Sequence, residues 1–169
     1  LIHENQSIVY LNRGKSGFEQ WSGHGIVSTE LGAIGMALGV LDYNQDGKVD
    51  VVVGNERGKW HLFKNTLPKA ENAHYLTVEV GTSKSGKATA LGALVTLQAC
   101  SGKQVQRVGA TGANYSLDFN PFVHFGLGEC DRSVKVKVEW SNGETVAQSV
   151  GSVNGKVVFG RKSSENSGA

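Results

Sequence analysis

Residues 38–54 read Leu38-Gly39-Val40-Leu41-Asp42-Tyr43-Asn44-Gln45-Asp46-Gly47-Lys48-Val49-Asp50-Val51-Val52-Val53-Gly54. Two apolar, β-branched runs flank a short polar loop. Such runs predict strands, so the loop is expected to join the arms of a hairpin. Within it, Asp42, Asn44, Asp46 and Asp50 place oxygen-bearing side chains at positions 1, 3, 5 and 9. Gly47 stands at position 6, where the chain must turn sharply. A hard cation such as Ca²⁺ takes about six to eight oxygens at roughly 2.3–2.6 Å, and alternate residues of a tight loop aim oxygens at one centre. The backbone carbonyl of Lys48, at position 7, adds a ligand in this reading. Three carboxylates this close repel one another unless a cation neutralises them. The expected cofactor is therefore Ca²⁺. A solvated Asp/Asn/Gly turn is the competing explanation, but D-x-N-x-D-G-x-x-D is far more specific than a generic polar turn. An EF-hand is excluded, because it wants Glu at position 12 between two helices, and position 12 is Val53.

The whole chain reads as all-β. Its 169 residues allow one or two small domains. Glycine is abundant at 23 and proline rare at 2, and Gly-punctuated Val/Leu/Thr/Phe runs replace any long helix-forming window. Strands are expected at 8–11, 18–21, 35–41, 49–54 and 60–65, with a Gly-rich loop over 22–32. Residues 67–73 contain Pro68 and read as a linker. Seven further strands follow, at 75–80, 94–99, 104–109, 122–125, 134–140, 145–150 and 156–159. That density implies a small β-sandwich or barrel over 74–160. The Ser/Gly/Asn-rich stretch 161–169 is expected to be a disordered tail.

Charge narrows the function. Seventeen basic and fifteen acidic residues leave a net charge of +2, which gives no electrostatic footprint for nucleic acid or an anionic membrane. Lys135 and Lys137 alternate on one strand and belong on a solvent face. No run of about 18 apolar residues exists, so no membrane-spanning helix is expected. Leu1 is not an initiator Met and the first ten residues are polar, so no signal peptide is expected in a chain that reads as a processed product or an excerpt.

Candidate side chains outside the loop are few. Cys100 and Cys130 are either a disulfide, suited to an oxidising compartment, or two free thiols. His124 sits between apolar neighbours on a strand and reads as a structural histidine bonded to backbone. Gly126-Leu127-Gly128 lacks phosphate-loop spacing and reads as a tight turn. Trp140 shares the inward parity of Val134, Val136 and Val138, whereas Trp60 follows a Gly-Lys turn and is the best candidate for stacking on a glycan. Asn5 and Asn114 open N-glycosylation sequons. No G-x-S-x-G elbow is present, and no partner for a catalytic His is visible.

Two stretches then look familiar. Residues 35–65, centred on LDYNQDGKVDVVVGN and ending in HLFKN, resemble an FG-GAP/VCBS repeat. YLNRGKSGF resembles the end of a preceding unit. Residues 72–160 resemble an ASPIC/UnbV domain through ATALGALVTL, the run from Gly109 through Gly112 to Tyr115-Ser116, VHFGLGE and VKVEWSNGE. The pairing is similar to that in the cartilage acidic protein family and its bacterial relatives. The resemblance implies a β-propeller blade whose Asp loop binds Ca²⁺, followed by a β domain with no known chemistry. Residues 1–66 supply at most about one and a half blades, while a propeller closes with about four to eight. The expected function is a non-enzymatic, secreted or cell-surface calcium-binding protein in structure or adhesion. It would meet a protein or glycan partner and self-associate through open strand edges. A carbohydrate-binding module is the rival expectation.

Overall fold

The computed structural model describes residues 7–27, 34–68, 70–100, 102–109 and 120–161. Among the described residues, twelve strands and one 3₁₀ turn make up the regular structure. Among the described residues no helix is long and apolar enough to cross a membrane. Asn5, Asn114 and most of the run from Gly109 to Ser116 lie outside the described residues.

The first part of the chain forms two small sheets. β1 (Val9–Asn12) and β2 (Phe18–Trp21) pair antiparallel around the 3₁₀ turn Gly14–Ser16. β3 (Ile34–Leu41), β4 (Asp50–Glu56) and β5 (Trp60–Phe63) form an antiparallel sheet in the order β3-β4-β5. Leu41 pairs with Asp50, so residues 42–49 are the hairpin loop that the flanking strands predict. β5 stops at Phe63, two residues short of the expected end, because the Asn65 amide leaves the ladder to bond the Asp50 carboxylate.

The second part is a two-sheet sandwich. β6 (His74–Val80), β7 (Leu94–Ala99), β8 (Gly102–Arg107), β9 (Phe122–Gly128), β10 (Val134–Glu139), β11 (Thr145–Val150) and β12 (Gly155–Phe159) are its strands. One sheet runs β11-β10-β7-β8, wholly antiparallel. The other runs β12-β6-β9, with β12 parallel to β6. Alternation sets what is buried: Leu76, Val78 and Val80 of β6 and Val123, Phe125 and Leu127 of β9 share one core with Val95, Leu97, Val134, Val136 and Val138. Two faces meeting in one cluster make a sandwich, not a closed barrel. Trp140 is 2% exposed and donates its indole N–H to the Gly81 carbonyl at 3.0 Å, which satisfies its buried polar atom.

Other expectations change as well. Gly126-Leu127-Gly128 is not a turn: β9 runs through Gly128, with Leu127 buried at 2%. Gly126 pairs with Tyr75 and Gly128 with His74, so Leu127 is the extra residue of a β-bulge and the alternation survives. β8 occupies 102–107 instead of 104–109. Finally, Arg161 is not part of a loose tail, since its backbone N–H and C=O bond those of Thr82 at 2.9 and 3.0 Å. Residues 162–169 lie outside the described residues.

Candidate functional site

The acidic loop is built by its own backbone. Gln45 and Gly47 take positive φ of 58° and 85°, and this coils residues 42–47 so that amides point inward. The Asp42 carboxylate accepts the N–H groups of Asp46 at 3.0 Å and Gly47 at 2.8 Å. Asp46 accepts the Lys48 N–H at 2.9 Å and the Asn44 side-chain amide at 3.0 Å. Asp50 is fully buried, and its two oxygens accept the Tyr43 N–H at 3.2 Å and the Asn65 N–H at 2.7 Å. Asp50 therefore ties the start of the loop to the exit of β5. Asn65 completes the tie by donating to the Val49 carbonyl at 3.1 Å.

This donor set suits a hard cation in kind. Three carboxylates, the Asn44 carbonyl and the Lys48 carbonyl are all oxygen ligands, and a carboxylate oxygen holding one N–H keeps a lone pair. Their present arrangement is amide-filled. Among the described residues no group of three or more His, Cys, Asp or Glu side chains is gathered to hold a metal. Burial alone would raise the Asp46 carboxyl, but the Asn44 amide, the Lys48 N–H and the charges of Lys48 and Lys64 outweigh it and hold Asp46 below its ordinary value. Lys48 Nζ lies 3.8 Å from Asp46 Oδ2, occupying charge that a cation would otherwise neutralise.

The loop docks on the sandwich through Tyr75, a residue no local pattern singles out. The Tyr75 hydroxyl donates to the Gln45 carbonyl at 3.4 Å. Its ring lies so close to Gly47 that a Cβ there would overlap it. Burial, then the charges of Asp42 and Asp46, push the Tyr75 phenol pKa up. Behind it, His124 stacks on Tyr75 with centroids 5.4 Å apart and a 14° interplanar angle. Its Nδ1 meets the Thr77 hydroxyl at 3.3 Å, so its side-chain partner is a neighbouring strand's hydroxyl and not backbone. Burial lowers the His124 pKa, with Asp42 working against the shift.

The ASPIC and UnbV family matches residues 81–166, just over half of the chain. The chain belongs to this family. An FG-GAP repeat matches residues 34–73, the span of the acidic hairpin and the connection to β6. No curated protein matches the chain. In this ASPIC/UnbV chain, Cys100 and Cys130 are joined in a disulfide with a Cα–Cα distance of 5.6 Å, which closes the alternative that sequence left open. Trp60 is 56% exposed on β5, with one edge of its ring against Gly54. It stands apart from the loop and the seam with the sandwich.

A second polar knot stands at the far end of the ASPIC/UnbV sandwich. Glu144 accepts the Ser83 hydroxyl at 2.9 Å and the Ser85 N–H at 3.1 Å, together with the Ser85 hydroxyl and the Asn142 amide. These bonds, led by the Ser85 hydroxyl, lower the Glu144 carboxyl to about 2. The knot pins the 83–88 turn to the β10–β11 hairpin, and Asn142 and Glu144 on the hairpin side lie in the motif VKVEWSNGE.

Proposed function

We propose that this chain is a non-enzymatic structural or adhesion module of the extracellular space or cell surface, in which Ca²⁺ bound by Asp42, Asn44, Asp46, Asp50 and the Lys48 carbonyl fixes the FG-GAP hairpin against the ASPIC/UnbV sandwich. The observation that carries the reading is the loop itself: a hairpin turn with oxygen donors at alternate positions, its apex seated on Tyr75. Bound Ca²⁺ would neutralise three carboxylates and stiffen the seam. Millimolar calcium would fill such a loop well and micromolar calcium poorly. FG-GAP repeat proteins are often extracellular or surface proteins, and the Cys100–Cys130 disulfide suits an oxidising compartment.

Self-association through the blade belongs to the same reading. Leu38, Val40 and Leu62 are 46%, 44% and 50% exposed on a three-stranded sheet whose outer strands template pairing with other chains. A protein or glycan at a cell surface or in a matrix is the proposed partner. The rival reading, a carbohydrate-binding module, draws on the exposed Trp60.

The test is calorimetric titration of EDTA-stripped protein with Ca²⁺, with Asp46→Ala as control. Saturable binding that the substitution abolishes is the expected result. Absence of binding at millimolar Ca²⁺ would overturn the metal reading. Light scattering at rising concentration tests the assembly, and a strictly monomeric profile would remove it.

A further inference from the structure

Between the hairpin and the sandwich opens a cleft of about 590 Å³, within the size range of small-molecule sites. Its floor is the outer face of the β6–β9 ladder. Tyr75 and Thr77 stand on β6, and Phe122 and His124 on β9, with Thr77 paired directly to His124. Gln106 of β8 forms one wall by donating Nε2 to the His124 carbonyl at 2.6 Å, a bond that leaves its Oε1 as an acceptor. Asn120 does the converse. Its Oδ1 takes the Phe122 N–H at 3.0 Å, and its amide N–H₂ remains a donor at the rim.

Charge decides between ligand classes. The two cations of the cleft are already engaged: Lys156 Nζ pairs with Glu79 at 2.8 Å and lies 5.2 Å above the Phe122 ring, and Arg107 Nη1 bonds the Gly92 carbonyl at 2.8 Å. An anion therefore meets cations whose donors are already engaged, and a purely apolar ligand would strand the amides and hydroxyls. Burial keeps His124 largely uncharged near neutrality, so its ring serves as a polar aromatic surface.

We propose that this cleft binds a neutral saccharide, with the C–H face of a sugar ring against Tyr75, His124 and Phe122 and its hydroxyls meeting Gln106, Asn120 and Thr77. Aromatic side chains beside fixed amide donors and acceptors match a ligand that carries an apolar face and a hydroxyl rim. The site differs from Trp60, which lies outside the cleft.

Saturation-transfer NMR on the full chain tests it. The probes are glucose, galactose, mannose and N-acetylglucosamine, their disaccharides, and glucose 6-phosphate as an anionic comparator. At least one neutral sugar should bind. Its affinity should fall about tenfold in Asn120→Ala, the loss of one or two hydrogen bonds. A larger fall is expected in Phe122→Ala, and none in Trp60→Ala. Asn120→Ala also removes the acceptor of the Phe122 N–H at the start of β9, so an unchanged near-ultraviolet circular dichroism spectrum is needed to separate lost binding from lost fold. Three results would overturn the proposal: no neutral sugar bound at tens of millimolar, binding of the phosphate ester alone, or binding lost in Trp60→Ala and kept in both cleft variants.

Discussion

The FG-GAP hairpin and the ASPIC/UnbV sandwich are both built from mostly antiparallel strands of Val, Leu and Phe, yet they solve the burial problem differently. Among the described residues, Ala37 and Val53 are the only buried apolar side chains before residue 70, whereas eighteen lie in the sandwich core. Among the described residues, apolar side chains stay exposed on both faces of the hairpin sheet, Leu38 and Val40 on one and Trp60 and Leu62 on the other. What orders it is polar: carboxylates that hold backbone amides, and one tyrosine reaching over from the sandwich. Apolar burial scales with the area removed from water, so a sheet that buries so little must rely on its loops. The comparison teaches that equal strand content does not mean equal stability.

The sharpest way to break this contrast is a pair of tryptophan substitutions. Trp140→Ala should cost about 3–5 kcal/mol in urea unfolding, the usual range for emptying a packed aromatic site. Trp60→Ala should stay within roughly 0.5 kcal/mol, as for a surface change. Equal losses would mean that the hairpin is as tightly packed as the sandwich. Next in size is reduction of the disulfide. Cys100 and Cys130 are 30 residues apart, and releasing a loop of that length removes about 3.6 kcal/mol in the chain-entropy view. Thermal melts with and without reductant measure it, and the sandwich transition alone should move.

Gly47→Ala probes the hairpin side. It places a Cβ at a φ of 85° and into the Tyr75 ring, so a cost of about 1–3 kcal/mol is expected. Hydrogen exchange should locate that loss in residues 42–50, with β7 and β10 protected as before. The smallest effect is in acid. Its hydrogen bonds hold the Glu144 carboxyl at about 2 in the folded chain, well below its ordinary value of 4.5. Folding therefore binds fewer protons than the open chain, and the contribution of the knot is complete above pH 4.5 and fades as pH falls toward 2. Glu144→Gln should flatten that part of the acid-unfolding curve. An unchanged curve would mean that the knot adds nothing to the sandwich.

Local pattern explains why so much of this was legible. Alternation placed Leu94–Ala99 and Thr145–Val150 to the residue, and parity put Trp140 in the core. The acidic hairpin was readable because its turn chemistry lies within nine consecutive residues. The Leu127 bulge was not, since two glycines around a leucine look like a turn until the partner strand is known. Nor was the role of Tyr75 or Asn65, because each acts on a segment remote in sequence. His124 was read as bonded to backbone, but its side-chain partner Thr77 stands on a strand 47 residues away. The two cysteines carried no sign of their separation in space.

β6 and β12 lie side by side and run parallel, in register from Leu76 with Gly155 to Val80 with Phe159. One is the first strand of the sandwich and the other its last. Tension applied between the start of β6 and the end of β12 slides the two strands past each other, so the whole ladder is loaded at once instead of being peeled one rung at a time. The sandwich is thus braced as a mechanical clamp along the line that joins its ends. Single-molecule pulling along that line should meet markedly more resistance than pulling across the β10–β11 hairpin.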